Sequence, residues 1–286
     1  MSLSHSIVLH GLDLLYALSS LALIALGLAI VFGLLGVLNM AHGEFVMIGA
    51  YTAVAVQGAG WPSWLSLPLC IVVCIGLGYG VERWLIRPLY ARSFDTLLAT
   101  WGLALLLRKL IEAMFGRGYR NVQTSLDGAI RILGVQYPAY RVVLMGGVVI
   151  GLALLYLWYR RSTAGLRVRA MVSNPILAQA LGIDTRRVAS WTFVVGVVFA
   201  GMAGLLLAPL VPVEPGMGVN FLLNAFFALV VGGLGSFGAF AGGVGVVGGV
   251  QSVASSVISS TFGYALVLTI SILLLWLKPD GLFTRR

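Results

Sequence analysis

An all-α, polytopic membrane protein is expected from this chain of 286 residues, because 60% of them are hydrophobic and only 9% are charged, against about 25% charged in an ordinary soluble domain. Nine acids and eighteen bases are too few to clothe a water-soluble core of this size. The third observation is the length of the apolar runs, most of which approach the roughly 20 residues a helix needs to cross the hydrocarbon core. Eight or nine such segments consume most of the chain, so a single transmembrane domain, residues 1–286, is expected.

The runs fall at 14–38, 45–58, 64–81, 96–115, 142–159, 190–211, 221–234, 237–258 and 264–277. The first lacks a basic leader before it, which marks it as a retained span and not a cleaved signal. The second and seventh have about 14 residues each, short of an upright crossing, and are expected to be broken or re-entrant. The third holds Cys70 and Cys74, whose spacing suits neither a disulfide framework nor a four-ligand metal site; both read as small core residues. The fourth ends on Arg108, Lys109 and Glu112, long side chains that can snorkel to the interface, with Arg108 and Glu112 spaced to pair on one helix face. In the eighth, Gly238, Gly242, Gly245 and Gly249 repeat along one helix face and predict a close-packed seam. Nine crossings put the termini on opposite faces and eight put them on the same face; both parities stay open.

Lys and Arg are retained on the cytoplasmic side. The loop at 160–189 carries Arg160, Arg161, Arg167, Arg169, Arg186 and Arg187 against Asp184, so it is placed in the cytoplasm. Arg83, Arg87 and Arg92, and the tail with Lys278, Arg285 and Arg286, agree. The first thirteen residues hold no Lys or Arg and are placed outside. One loop dissents: Arg117, Arg120, Arg131 and Arg141 surround Asp127 where alternation puts the outer face.

Three interruptions of the apolar text carry chemistry. Asn39, His42 and Glu44 fall within six residues, and such groups are costly in a bilayer unless they face a cavity or a partner. They serve either as loop and helix-start chemistry or as part of a solute pathway. Gly232, Gly233, Gly235 and Ser236 allow unwound backbone whose N–H and C=O groups face a polar solute, and paired short, glycine-broken segments point to such a path. The cytoplasmic stretch 165–184 predicts a short helix after Pro175, closed by Gly182. It binds anionic lipid headgroups or docks a separate motor protein.

Absences narrow the class further. There is no Walker A phosphate loop and no His-Glu-x-x-His zinc motif. No Ser or Cys nucleophile has a basic partner nearby in sequence. His42 and Glu44 have only His5 and His10 as further imidazoles, which is too little for a metal site. No catalytic residue, resident metal or cofactor, or nucleic-acid partner is expected, and the chain is not read as an enzyme.

Five motifs in order give the chain a resemblance. Asn39-Met-Ala-His-Gly-Glu44, then Glu82-Arg83 with Arg87-Pro88, then Ala178, Ala180 and Leu181-Gly-Ile183, then Gly232, Gly233, Gly235 and Ser236, and last Lys278-Pro-Asp-Gly-Leu-Phe283 resemble the permease subunits of ABC importers for branched-chain amino acids and for urea or short-chain amides. Met40 with residues 44–52, and Thr96 to Gly102, look closer to the urea and amide branch. Two departures stand out: the proline usual after the Gly-Gly-x-Gly-Ser segment is missing, and Asn174-Pro175 replaces the polar or acidic pair common at the head of the coupling helix.

The resemblance implies a multi-pass protein of the bacterial inner membrane, paired with a second homologous permease, two cytoplasmic ATP-binding subunits that hold ATP and Mg, and an extracytoplasmic solute-binding protein. It implies a urea or amide pathway past Asn39, His42, Glu44, Gly232, Gly233, Gly235 and Ser236. Coupling to the ATPases is implied at Asn174, Ala178, Ala180, Gly182 and Ile183. The same role for branched-chain amino acids is the alternative, and an ATP-independent channel or secondary carrier is a more distant one.

Overall fold

The structure, a computed structural model, describes residues 3–90, 92–124, 126, 128–233, 236–257, 259–278 and 281–283. Each of the nine apolar runs is helical over most of its described residues. In chain order the helices are α1 (Leu3–Leu35), α2 (His42–Gly58), α3 (Ser66–Val81), α4 (Ser93–Phe115), α5 (Ala139–Arg161), α6 (Thr163–Ser173), α7 (Pro175–Ala180), α8 (Thr185–Leu207), α9 (Met217–Gly232), α10 (Phe237–Val257) and α11 (Ser260–Leu277). Among the described residues five segments, including most of α1 and all of α5 and α8, are long and apolar enough to cross a membrane by length and composition. The polytopic helical class expected from hydropathy therefore stands. One part of it needs correction: β1 (Ala129–Ile132) and β2 (Val135–Pro138) form an antiparallel hairpin between α4 and α5.

The chain divides into two compact units. The larger comprises residues 26–122 and 152–222. Its centre is α8, packed on α2 and α3 with main chain nearly touching main chain. A methyl group at Gly49 would overlap the Gly201 carbonyl, and one at Gly204 would overlap the Val46 carbonyl. On its other side Gly201 leaves room for the Cys74 and Cys70 thiols, both fully buried and free, as small core residues should be. Without a hydrophobic force between helices in lipid, such close approach supplies the dispersion energy that holds them.

At the far end of α3 a π-helical turn over Glu82–Ile86 and a 3-10 turn over Arg87–Leu89 carry the Glu-Arg and Arg-Pro motif. Glu82 is buried, lies 3.7 Å from Arg87 and accepts from the Tyr90 hydroxyl at 3.4 Å. Arg87 also donates to Ser190 Oγ on α8 at 3.3 Å. The motif thus ties the α3–α4 connection to the start of α8.

The smaller unit comprises residues 1–25, 123–151 and 223–286. Here Asp13 accepts from the Tyr137 hydroxyl at 3.0 Å and pairs with Arg141 at 3.2 Å, while the Arg141 guanidinium lies 4.6 Å over the Tyr16 ring. The hairpin base is therefore clamped to the first turns of α1. Arg141 is neutralised by Asp13, and Arg117 by Glu112 at 3.4 Å, which explains why this dissenting loop carries less free positive charge than its letters suggest. Replacing Asp13 by Ala should cost less than about 1 kcal/mol, as for other half-exposed pairs, yet speed amide exchange across residues 129–138; unchanged exchange would show that the clamp is not what orders the hairpin.

The expected glycine seam on α10 needs correction. Gly245 and Gly249 face open space, and only Gly242 of the stripe meets a distant side chain, that of Phe283. The close contacts are made by Gly243, which fits against the Ala228 carbonyl and Gly232 of α9, and by Gly248, which fits against Leu18 and Leu21 of α1. Thirty-seven glycines allow several such stripes to be drawn, and spacing alone does not choose between adjacent faces.

Candidate functional site

The polar segment before α2 folds into a tight, buried turn. Asn39 Oδ1 accepts from the Ala41 amide at 3.0 Å, and the Asn39 carbonyl accepts from the His42 amide at 3.2 Å. These bonds meet the unsatisfied N–H groups that any helix start presents. The Met40 amide donates to Thr100 Oγ1 of α4 at 3.1 Å. Asn39, His42 and Glu44 are all buried. A methyl group at Gly27 of α1 would meet the His42 ring at 2.9 Å, so His42 lies tight against that helix.

Glu44 does more than complement the dipole of α2. Its carboxylate pairs with Arg108 of α4, Oε1 to the guanidinium at 2.5 Å, across 64 residues of sequence. The expected pairing of Arg108 with Glu112 is not made: Glu112 is taken by Lys109 at 2.7 Å and by Arg117. Arg108 is thus a partner of the polar turn and not a snorkelling anchor, which sequence reasoning missed because nothing local links positions 44 and 108. On the opposite side, Gly43 and Gly218 of α9 approach closely, and a methyl group at Gly218 would meet Glu44 Oε2 at 2.9 Å. Removing one member of a buried pair like this typically costs about 3–5 kcal/mol, because the other charge is stranded.

The second group of pathway candidates belongs to the smaller unit and is described by itself. Gly233 has φ +95° and its amide closes α9 on the Leu229 carbonyl; Ser236 Oγ then accepts from the Ala239 amide at 3.0 Å and starts α10. Gly235 lies outside the described residues. The expectation of free backbone here needs correction at two carbonyls. Val231 and Gly232 accept from the amides of Leu282 and Phe283, so the C-terminal motif caps α9, and Pro279 and Asp280 within that motif lie outside the described residues.

The third group forms a sharp elbow between α6 and α8. Asn174 Oδ1 accepts from the Leu177 amide at 3.0 Å, Pro175 opens α7, and Gly182 reverses the chain with φ +81°. Asp184 then caps α8 through the Arg187 amide at 3.0 Å. Ala178 is buried and Ile183 half-buried, so both face the rest of the loop, whereas Ala180 and Gly182 are exposed. Ile176, Leu177 and Leu181 give α7 an exposed apolar surface. Three charged or polar devices hold this elbow: the two caps and a 2.8 Å bond from Gln179 to Thr185.

Among the described residues no group of three or more His, Cys, Asp or Glu is placed to hold a metal ion. What the geometry provides is a buried, ion-paired polar turn inside a helical membrane protein and a separate apolar, capped elbow. A family model described as the branched-chain amino acid transport system, permease component, matches residues 11–277. The chain belongs to this family. It is a permease component, and as such a multi-pass protein of the bacterial inner membrane. It is 28% identical to the high-affinity branched-chain amino acid transport system permease protein LivH of Salmonella typhimurium over 283 residues, covering 93% of this chain and 92% of that one. It is 29% identical, with the same coverage, to the permease protein BraD of Pseudomonas aeruginosa. A second type of permease, LivM of Escherichia coli, is 26% identical over 75% of this chain and 56% of its own length. No solved structure matches the chain.

Proposed function

We propose that this permease forms the translocation pathway of an ATP-driven importer for branched-chain amino acids. The supporting observation is the near full-length match to LivH and BraD, both named for that transport system. The urea and amide reading rests on Met40 with residues 44–52 and on Thr96 to Gly102, and several of those letters have local work: Thr100 holds the Met40 amide, Thr96 holds the Leu89 and Arg92 carbonyls, and Trp101 is exposed. Met40, Thr96 and Thr100 therefore speak for helix packing more than for solute.

LivH and LivM of Escherichia coli carry the name of one transport system, which supports pairing of this chain with a second, homologous permease. Two cytoplasmic ATP-binding subunits hold ATP and Mg and seat on α7; an extracytoplasmic binding protein delivers solute. Asn39, His42 and Glu44 line the route, and Asn174, Ala178, Ala180, Gly182 and Ile183 shape the coupling elbow. The test is uptake and ATP hydrolysis by the reconstituted importer with its own binding protein. Leucine is expected to stimulate hydrolysis and accumulate. Stimulation by urea or acetamide alone would return the chain to the other branch, and uptake without the ATP-binding subunits would make it a channel or carrier.

A further inference from the structure

The geometry points to the Glu44–Arg108 pair, with Asn39 and Tyr51 beside it, as the contact for the charged head of a zwitterionic amino acid: Glu44 receives the ammonium and Arg108 the carboxylate. The inference rests on the amino-acid reading above and assigns that reading's chemistry to atoms.

Four observations carry it. First, eight buried side-chain polar atoms lack a hydrogen-bond partner among the described residues, and four of them are Asn39 Nδ2, Glu44 Oε2, Tyr51 Oη and Arg108 Nε. Buried polar atoms are nearly always satisfied, so unused positions on Asn39, just before α2, on Glu44 and Tyr51 of α2 and on Arg108 of α4 mark a place that meets something polar. Second, Glu44, Tyr51 and Arg108 lie where α2 and α4 face one another. Glu44 and Tyr51 are seven apart on α2, Arg108 and Phe115 are seven apart on α4, and residues so spaced share a helix face. The pairs meet in order: Met40 with Thr100, Glu44 with Arg108, and the Tyr51 ring 5.0 Å from that of Phe115.

Third, the two partners differ in access. The Glu44 side chain is 3% exposed and that of Arg108 22%, so the guanidinium is the end that a solute reaches first. Fourth, the carboxylate is held from behind, since Gly218 leaves only enough room for Glu44 Oε2. The pair can therefore part by movement of Arg108 while Glu44 stays.

The chemistry is an exchange of partners. A zwitterion presents the same two charges that the pair already balances, so swapping Arg108 for an ammonium and Glu44 for a carboxylate leaves no charge uncompensated at either stage. A buried ion pair is a poor stabiliser compared with apolar residues of the same volume, and ionisable groups inside a membrane bundle point to function. A neutral amide would need neither charge.

The deciding experiment uses the complete importer, with binding protein, in proteoliposomes, and measures leucine moved per ATP hydrolysed for the wild type and for the double variant E44Q/R108Q. No charge is stranded in the double variant, and two glutamines can still bond across the seam. Leucine moved per ATP is expected to fall by about tenfold or more, the effect of losing one charge-assisted hydrogen bond. An unchanged ratio, whether both activities persist or both decline together, would make the pair a structural tie and overturn the proposal. If E44Q/R108Q does not copurify with its partners, R108K replaces it, with the charge kept and the planar fork lost, and the ratio is read the same way. Wild-type importer that does not accumulate leucine would defeat the amino-acid reading itself, and this proposal with it.

Discussion

Replacing Gly204 by leucine should leave almost no folded permease in the membrane. The methyl group alone would overlap the Val46 carbonyl and crowd the Ala50 amide of α2. Both are main-chain atoms in the middle of a helix, so no rotamer change makes room. Overpacked cores lose about 1–3 kcal/mol when side chains can shift, and here α8 must part from α2 along the contact that also seats Gly49 on Gly201. The measurement is the amount of monodisperse protein recovered in mild detergent. Gly245→Ala is the control, because nothing lies within 4 Å of that position and its recovery should match the wild type. Normal recovery of Gly204→Leu would mean that the α2–α8 crossing is not what holds the larger unit.

Hydropathy made the helices legible, since each apolar run became one, but it misplaced the first start. The apolar run begins at residue 14, whereas α1 begins at Leu3, because Ser4, His5, His10 and Asp13 dilute the apolar signal. Asp13 belongs to a helix all the same, and its charge is spent on the hairpin. That hairpin turns on Leu133 and Gly134, both with positive φ. Glycine advertises such a turn, but leucine conceals it, since a bulky residue there is rare. At the polar turn, the residue types of Asn39, His42 and Glu44 announced unusual chemistry, but their partners are tertiary. Arg108 and Thr100 of α4, Gly27 of α1 and Gly218 of α9 come from three other helices, and no periodicity within a single segment relates them. The elbow around α7 is the reverse case. Its signals are local, with Asn174 before Pro175 and Gly182 before Asp184, and the caps formed where such letters form them.

On the importer reading proposed above, Gly182→Val should let the ATP-binding subunits hydrolyse ATP while uptake of solute falls. The elbow around this glycine is closed by short-range bonds: the Gly182 amide donates to the Gln179 carbonyl at 2.9 Å, the Ile183 amide to the Ala178 carbonyl at 3.0 Å, and Gln179 to Thr185 at 2.8 Å. These bonds make α7 and the start of α8 one stiff piece, and α8 is the helix packed on α2 and α3. A push on α7 would therefore arrive at the glycine crossings instead of being absorbed in a loop. Gly182 sits at φ +81° in open space, so valine brings no clash. It brings strain of about 1–2 kcal/mol for a β-branched residue in the left-handed region, and that shifts the closed elbow's population by roughly 5–30-fold. Gly182→Asn separates conformation from volume, because asparagine tolerates this backbone. It should keep most of the coupled uptake that valine loses. Equal uptake by wild type, Gly182→Val and Gly182→Asn would show that force enters the membrane helices by another route.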